Sequence, residues 1–151
     1  MRPTVLLFDI DGTLVSTAGV GRRALERTLA ARYGSSAVLR DVRFDGMTDR
    51  GIVRGGLATI GEIADGPAAE TAIDAILADY VPFLEEEIAQ VQLTLHRGAR
   101  DVLDAVSGRP GVAVGLGTGN IRPGARAKLA PLGVFERFAF GGFGCDHEDR
   151  Q

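Results

Sequence analysis

A continuous apolar run leads into two closely spaced carboxylates near the start of the chain. Residues 5–14 read VLLFDIDGTL, with Asp9 and Asp11 after the apolar residues and Gly12 behind them. Four apolar residues without alternation predict a strand buried on both faces, as in a parallel sheet. The two acids would then lie at the carboxyl end of that strand, where open α/β sheets bind their ligands.

The spacing of the two acids predicts a turn. Residues separated by one position point to opposite faces of an extended chain, so both carboxylates can serve one site only if the chain bends there. Gly12 permits such a bend, because glycine adopts backbone conformations that other residues avoid. An ordinary polar turn is the alternative explanation of these residues.

Composition bounds the function classes. The chain has 151 residues, 45% of them hydrophobic, and a formal charge of -3 with acids and bases interspersed. This predicts one globular domain, or a small core with an insertion, and no direct binding of nucleic acid. No apolar run has membrane-spanning length, and the first residues lead into the strand without room for a signal peptide. We therefore expect a cytoplasmic protein with no membrane partner, and the single Cys145 fits a reducing compartment.

Two helices are expected after the first strand. Ser16 or Thr17 is predicted to cap the first helix, and Gly34 to end it. Thr48 or Asp49 is predicted to cap the second helix, whose apolar residues share one face.

A longer helix is expected to begin at the signal Asp65-Gly-Pro67, because proline suits the first turn of a helix. Its apolar residues recur with a 3.6-residue period up to about residue 88. Pro82 should bend this helix or end it. Residues 15–94 therefore read as a helical cap, inserted into an α/β core made of residues 1–14 and 95–151.

Alternation of helices and strands resumes near residue 98. A helix over 98–107, a buried strand over 112–116, a helix from Pro123 to about Leu132 and a short strand over 138–140 are expected in that order. Val102, Leu103 and Val106 are expected on the inner face of the first of these helices.

A hydroxyl and an isolated lysine stand out in this second part. Thr118 ends the second strand, and Gly119 and Asn120 follow it. Lys128 is the only lysine among seventeen basic residues. A compact ammonium can reach between two anionic groups as a point charge, which the broad guanidinium fork of arginine does less well. Lys128 is thus a candidate for an internal role, and a solvated surface lysine is the alternative.

Residues 9–14, DIDGTL, resemble the first motif of the haloacid dehalogenase-like hydrolases, in the phosphatase branch and nearest the phosphoglycolate phosphatase-like group. The resemblance implies a Rossmann-like parallel sheet with an inserted helical cap. It also implies that Asp9 attacks phosphorus, while Asp11 protonates the leaving oxygen and later deprotonates water. Thr118 and Lys128 resemble the second and third motifs. In those motifs the hydroxyl binds a phosphate oxygen, and the lysine stabilises both nucleophile and phosphate.

The same resemblance implies a cofactor and a substrate. Mg2+ would be held by the carboxylate of Asp9 and by the backbone carbonyl of Asp11. A small phosphorylated metabolite would be the partner, and the amides of Gly119 and Asn120 could donate to its phosphate. Within the loop Gly46–Arg50, Thr48 and Asp49 are candidates for substrate contact from the cap, although a helix start explains them equally well.

The fourth motif of the family, an acidic one, has no counterpart in the sequence. Residues 145–149, CDHED, are acidic and look like a metal cluster, but they follow Lys128 too closely and are expected to form an exposed loop. Without a further carboxylate we expect weak Mg2+ binding and impaired catalysis, as in the N-terminal part of a longer enzyme. The sheet would be incomplete, and the strand at 5–8 would be an open edge through which the chain could self-associate.

Three other functions fit parts of the pattern. A phosphosugar mutase of the same superfamily would return the phosphoryl group to a sugar, and a non-catalytic fragment would hold phosphate without turnover. Residues 114–119, VGLGTG, also resemble glycine loops that hold dinucleotides or S-adenosylmethionine. Against that third function, no acidic residue ends a following strand at the expected distance.

Overall fold

The computed structural model describes residues 2–62 and 65–147, the side chain of Ser36 excepted. The strands are β1 (Thr4–Phe8), β2 (Val15–Ser16), β3 (Thr94–Leu95), β4 (Val112–Gly117) and β5 (Phe140–Gly142). The α-helices are α1 (Val20–Tyr33), α2 (Asp49–Thr59), α3 (Pro67–Ala89), α4 (Ala99–Val106) and α5 (Arg122–Leu129). Short 3-10 turns occupy Ser36–Leu39, Ala130–Leu132 and Phe135–Arg137.

Three parallel strands form the main sheet in the order β1-β4-β5. Thr4 pairs with Val112 and Phe8 with Leu116, so the carboxyl ends of β1 and β4 lie side by side. The predicted parallel α/β core is therefore confirmed, and the residues that follow β1 and β4 meet at one edge of the sheet. The antiparallel pair β2-β3 was not predicted, because two-residue strands carry no periodicity.

The two faces of β1 differ, and the prediction that both are buried was wrong. Leu6 and Phe8 are half-buried, whereas Val5 and Leu7 are 58% and 60% exposed. An unbroken apolar run is buried on both sides only where helices cover both faces of the sheet. Among the described residues, β1 is an edge strand of the main sheet.

Helix α1 begins later than expected. Gly19, with a φ of 74°, precedes its first residue, so neither Ser16 nor Thr17 is the cap. Ser16 is in β2, and the chain needs the following residues to turn from that strand into the helix. The predicted end is confirmed, since Gly34 also has a φ of 74° and its N–H donates to the Ala30 carbonyl at 2.8 Å.

The remaining helices follow the sequence signals more closely. Thr48 caps α2 as predicted, and its hydroxyl accepts a hydrogen bond from the Gly51 N–H at 3.1 Å. Helix α3 begins at Pro67 and continues through Pro82, so the proline does not end it. No helix in the described part of the chain, α3 included, is both long enough and apolar enough to cross a bilayer.

Two smaller differences concern the second half of the chain. Val102 is 47% exposed, and α4 buries Leu103 instead, because adjacent helical residues point about 100° apart and α4 has only one narrow buried face. Strand β5 starts at Phe140 rather than at 138, since the Phe138 N–H closes a turn onto the Phe135 carbonyl.

Buried apolar side chains form two clusters. The helical cluster joins α1, α2 and α3, and the sheet cluster lies between the main sheet and helices α4 and α5. Ile88 and Val91 pack against both clusters. The division into a 1–14/95–151 core and a 15–94 cap stays a prediction.

Candidate active site

The turn after β1 brings two carboxylates to the sheet edge. Gly12 has a φ of 77°, and its N–H donates to the Val15 carbonyl at 3.0 Å. The N–H groups of Thr13, Leu14 and Val15 all donate to the carbonyl of Ile10, so the chain folds back on itself within five residues. Both Asp9 and Asp11 consequently line the same cavity, as their spacing predicts.

Asp11 is the centre of a hydrogen-bonded cluster. The Lys128 ammonium lies 2.8 Å from its Oδ1 and 3.0 Å from its Oδ2. The Asn120 Nδ2 donates to Asp11 Oδ2 at 2.7 Å, and the Thr17 hydroxyl donates to Oδ1 at 3.0 Å. Lys128 also donates to Asn120 Oδ1 at 2.6 Å. The lysine that the family pattern places against the nucleophile is thus paired here with the second aspartate.

Charge and burial act in opposite directions on Asp11. Burial by itself would raise the pKa of its carboxyl group. The charge of Lys128 and the hydrogen bonds from Asn120, Lys128 and Thr17 outweigh that effect and lower the pKa below its usual value. Asp11 is therefore held as a carboxylate in this arrangement.

Thr118 lies behind the cavity wall rather than in it. Its hydroxyl accepts hydrogen bonds from the Asn120 backbone N–H at 3.2 Å and from Asn120 Nδ2 at 2.8 Å. Its own N–H donates to the Gly142 carbonyl at 3.0 Å. Thr118 therefore orients Asn120, and the Asn120 amide expected to face phosphate is engaged by this hydroxyl.

Asp49 reaches the cavity from α2. It is 8% exposed, and its Oδ2 accepts a hydrogen bond from the Ile121 N–H at 2.8 Å. Burial raises the pKa of its carboxyl group to about 6, although Lys128 and the Ile121 bond act to lower it. Its neighbour Thr48 caps the helix and does not line the cavity, so the structure brings only one of the two predicted cap residues to the site.

The cavity between the sheet edge and the helical cluster has a volume of about 390 Å³. The lining residues include Asp9, Asp11, Gly119, Asn120 and Lys128, together with Arg22, Phe44, Asp45, Met47 and Asp49. The Arg22 guanidinium lies 4.0 Å from the centroid of the Phe44 ring. A space of this size suits a small organic ligand.

Several residues of the site had no recognised signal in the sequence. The hydroxyl of Tyr80 is buried near Gly21 and makes no hydrogen bond within the described part of the chain. A Cβ atom at Gly21 would lie 3.4 Å from Lys128 Nζ and 3.5 Å from this hydroxyl. Tyr80 lies on the buried face of α3, and helical spacing says nothing about what a hydroxyl faces.

The cavity offers oxygen donors of the kind that Mg2+ requires. This ion prefers oxygen ligands, keeps several waters and is often held by one or two carboxylates together with substrate phosphate. Asp9 and Asp11 supply oxygen donors of that kind in the cavity. Within residues 2–62 and 65–147, however, no three His, Cys, Asp or Glu side chains form a metal-binding group. The donor set therefore fits Mg2+ in kind, with few protein ligands.

The acidic loop after β5 contributes little to this site. Cys145, Asp146 and His147 are exposed, as predicted. The Asp146 carboxylate accepts a hydrogen bond from the Phe143 N–H at 2.7 Å, which stabilises the loop itself. The last two residues of the CDHED segment lie outside the described residues.

The glycines of 114–119 serve packing. A Cβ atom at Gly115 would lie 2.5 Å from the Phe140 ring, and one at Gly119 would lie 2.4 Å from the Met47 carbonyl oxygen. These glycines are thus required where a ring and a neighbouring loop contact β4 and its end. A cofactor loop is not needed to explain them.

A family model for haloacid dehalogenase-like hydrolases matches residues 6–142, a span that includes the acids after β1, Thr118 and Lys128. The chain belongs to this family. The resemblance of residues 9–14 to the first motif of these hydrolases is therefore confirmed. No curated protein sequence matches the chain.

Solved structures of other proteins share the fold. CbbY from Rhodobacter sphaeroides in complex with phosphate is 22% identical with a TM-score of 0.66, and covers 100% of this chain and 67% of its own. A CbbY variant in complex with xylulose-(1,5)-bisphosphate is 21% identical, with a TM-score of 0.68 and the same coverage. A predicted phosphoglycolate phosphatase from Haemophilus somnus is 14% identical with a TM-score of 0.58, and 99% of this chain matches 66% of that one. The chain spans about two thirds of the length of these proteins.

Proposed function

We propose that the chain carries the site of a Mg2+-dependent phosphatase that hydrolyses a small phosphate monoester, of about the size of phosphoglycolate, through an aspartyl-phosphate. One observation carries the proposal. Asp9, Asp11, Asn120 and Lys128 line a cavity of about 390 Å³ at the carboxyl edge of a parallel sheet. A nucleophile, a proton carrier and a cation are the groups that this reaction needs.

The reaction would proceed in two displacements. A carboxylate oxygen of Asp9 forms a bond to phosphorus, the ester P–O bond breaks, and Asp11 gives its proton to the departing alcohol oxygen. Water then attacks the same phosphorus and loses a proton to Asp11. The bond between phosphorus and Asp9 breaks, which releases phosphate and restores both aspartates.

Asp11 must be protonated for the first displacement, and Lys128 opposes this in the absence of substrate. A bound phosphate ester would bring negative charge next to Asp11 and would compete for the same ammonium. Both effects raise the pKa of a neighbouring carboxyl group. The substrate itself would therefore prepare Asp11 as an acid, while Lys128 turns to the phosphate.

The other residues would hold or orient the phosphate. Asn120 donates to Asp11 and would exchange that hydrogen bond for one to a phosphate oxygen, and Gly119 allows close approach. Thr118 would act through Asn120, because the Thr118 hydroxyl accepts a hydrogen bond from the Asn120 side chain. Thr48 would support the cap side by starting α2, beside the cavity-lining Asp49.

Mg2+ would be held by the Asp9 carboxylate and the backbone carbonyl of Asp11, and would supply positive charge that neutralises the phosphate. Because the described residues offer few further ligands, we expect weak Mg2+ binding and impaired turnover in this chain. A longer chain with a further acidic segment should bind Mg2+ more tightly, and titration of both forms with Mg2+ tests this. Equal affinity in the two forms would contradict the expectation.

The decisive experiment measures phosphate release from a panel of small phosphate esters with Mg2+, in the parent chain and in Asp9→Asn. The variant keeps the size of the side chain but removes the nucleophilic carboxylate, so release should fall by about 10³-fold or more. Full activity in Asp9→Asn would contradict the proposal. Isomer formation without phosphate release would favour the mutase, and phosphate binding without either would favour a binding fragment.

A further inference from the structure

Two opposed hydrogen bonds connect Asp49 to the loop that follows β4. The backbone N–H of Asp49 donates to the Gly119 carbonyl at 2.8 Å. Its side-chain Oδ2 accepts from the Ile121 N–H, also at 2.8 Å. Asp49, the first residue of α2, is therefore hydrogen-bonded to the residues before and after Asn120.

This connection is buried and closely packed. A Cβ atom at Gly119 would lie 2.4 Å from the Met47 carbonyl oxygen, and one at Gly144 would lie 2.0 Å from the Gly119 carbonyl oxygen. The Gly144 N–H donates to the Asn120 carbonyl at 2.9 Å. The loop 118–121 is thus held between the start of α2 and the loop after β5, with backbone in contact with backbone.

The loop between these contacts carries a group of the site. Asn120 donates to Asp11 at 2.7 Å and accepts from Lys128 at 2.6 Å. A shift of the backbone at 119–121 would move the Asn120 side chain against both partners. Asp49 is therefore two hydrogen-bonded steps from Asp11.

The carboxylate of Asp49 is not needed to cap its own helix. Thr48 already accepts from the Gly51 N–H and supplies the cap. An acid in the first turn is usually explained by its favourable interaction with the helix dipole at the surface. Asp49 is instead buried, where an ionised carboxyl group is unfavourable, and it bonds a backbone N–H seventy-two positions away. The hydrogen bond to the loop 118–121 therefore accounts for a carboxyl group at this buried position.

We propose that Asp49 is a positioning residue, which fixes the loop 118–121 to α2 and so sets the position of Asn120 against Asp11 and Lys128. The consequence for turnover rests on the proposed phosphatase function, whereas the positioning of Asn120 by Asp49 is independent of that function. The location of the helical cluster and the geometry at Asp11 are then coupled through one side chain.

The test compares Asp49→Ala with Asp49→Asn. The amide of Asn retains an oxygen that can accept from the Ile121 N–H, and Ala has none. Amide hydrogen exchange at Ile121 and the NMR resonances of the Asn120 side-chain amide report the loop without any turnover. Asp101→Ala, which removes an exposed acid from the first turn of α4, is the matched control.

In Asp49→Ala, exchange at Ile121 should become at least about tenfold faster and the Asn120 resonances should shift. With an ester that the parent hydrolyses, kcat should fall by about 10- to 100-fold, as misplaced groups do, with a smaller change in KM. Asp49→Asn should keep the parent exchange rate and kcat within about threefold, as should the control. If Asp49→Ala does not fold, Asp49→Leu takes its place, since it has a similar size and no acceptor.

Unchanged Ile121 exchange and Asn120 resonances in Asp49→Ala would overturn the proposal, as would loss of kcat in Asp49→Asn equal to that in Asp49→Ala. If no ester is hydrolysed by the parent, the phosphatase function fails. The positioning role is then still supported by changes in exchange and resonances that appear in Ala and not in Asn.

Discussion

The Lys128 ammonium donates to both carboxylate oxygens of Asp11, at 2.8 and 3.0 Å, although 117 positions separate the two residues. Lys128 is 3% exposed, and the side chain of Asp11 is 41% exposed. The pair therefore joins a buried cation on α5 to a carboxylate at the cavity wall. It explains why one lysine is present in a chain that otherwise uses arginine.

Replacing Lys128 by Met should raise the pKa of Asp11. Burial alone raises the pKa of that carboxyl group, and the Lys128 charge and hydrogen bond are removed in the variant. Carbon-13 NMR of the Asp11 carboxyl group against pH measures the change. In the parent, the lowered pKa means that the pair stabilises the fold at neutral pH and that this contribution is lost as pH falls through the folded pKa. The Met variant lacks the pair, so this contribution to its stability should not change as the pH falls.

Lys128→Arg is the control for charge. It keeps the cation, so the pKa of Asp11 should stay below that in the Met variant. The guanidinium is broader than the ammonium and Lys128 is only 3% exposed, so the Arg variant should lose about 1 to 3 kcal/mol of unfolding free energy. An Asp11 pKa that is the same in parent and Met variant would show that the pair is not formed in solution.

Asp49→Asn should be stabilised relative to the parent as pH rises. Burial raises the pKa of Asp49 from 3.8 to about 6, so the folded state binds the proton more tightly than the unfolded state. The parent should therefore lose stability between about pH 4 and pH 6 through this group, and Asn has no such titration. The difference in unfolding free energy, variant minus parent, should grow by about 2 to 3 kcal/mol over that range. Urea unfolding near pH 4 and near pH 7.5 measures it, and a difference independent of pH would contradict the assignment.

Gly119→Ala should destabilise the fold by about 1 to 3 kcal/mol, because its Cβ would lie 2.4 Å from the backbone oxygen of Met47 and the two loops must separate. Gly142→Ala is a matched control on β5. A Cβ there has no atom within 4 Å, and its φ is not positive, so its effect should stay within about 0.5 kcal/mol. Equal unfolding free energies for the two variants would show that the close approach at Gly119 is not maintained.

Tyr80→Phe should leave the unfolding free energy unchanged or raise it by up to about 2 kcal/mol. The buried hydroxyl has no hydrogen-bond partner in the described part of the chain, and an unsatisfied buried polar group is unfavourable. Tyr33→Phe, at the only other tyrosine, is the control for removal of a hydroxyl from a half-buried ring. A loss of more than about 1 kcal/mol in Tyr80→Phe would mean that the hydroxyl has a partner, such as an ordered water.

Local sequence signals predicted the parts of the fold that depend on neighbouring residues. The turn at Gly12, the cap at Thr48 and the helix start at Pro67 each depend on a few adjacent positions, and each was found. The family resemblance added the meeting of Asp11 and Lys128 at one site, because motif order carries long-range information that propensity does not.

Features that depend on which distant residue lies across a contact were not predicted. Val5 and Leu7 are apolar whether or not a helix covers them, so their exposure could not be read from the strand. Thr118 has the expected place, but the partner of its hydroxyl is decided by the side chain of Asn120. The sequence makes Asp49 a candidate for substrate contact or for a helix start, whereas the direction of its Oδ2 towards Ile121 depends on how α2 approaches β4.

The short pair β2-β3 has a consequence for how this fold can vary. Val15 lies opposite Leu95 and Ser16 opposite Thr94, so the chain returns at 94 to a point one strand spacing, about 4.8 Å, from where it left at 16. A segment whose two ends lie side by side, as the one between β2 and β3 does, can be lengthened, shortened or exchanged without moving the strands on either side of it. The pair is therefore a point at which a different segment could be joined beside the same cavity. A replacement segment would have to supply its own counterpart of Asp49, whose side chain bonds the loop after β4.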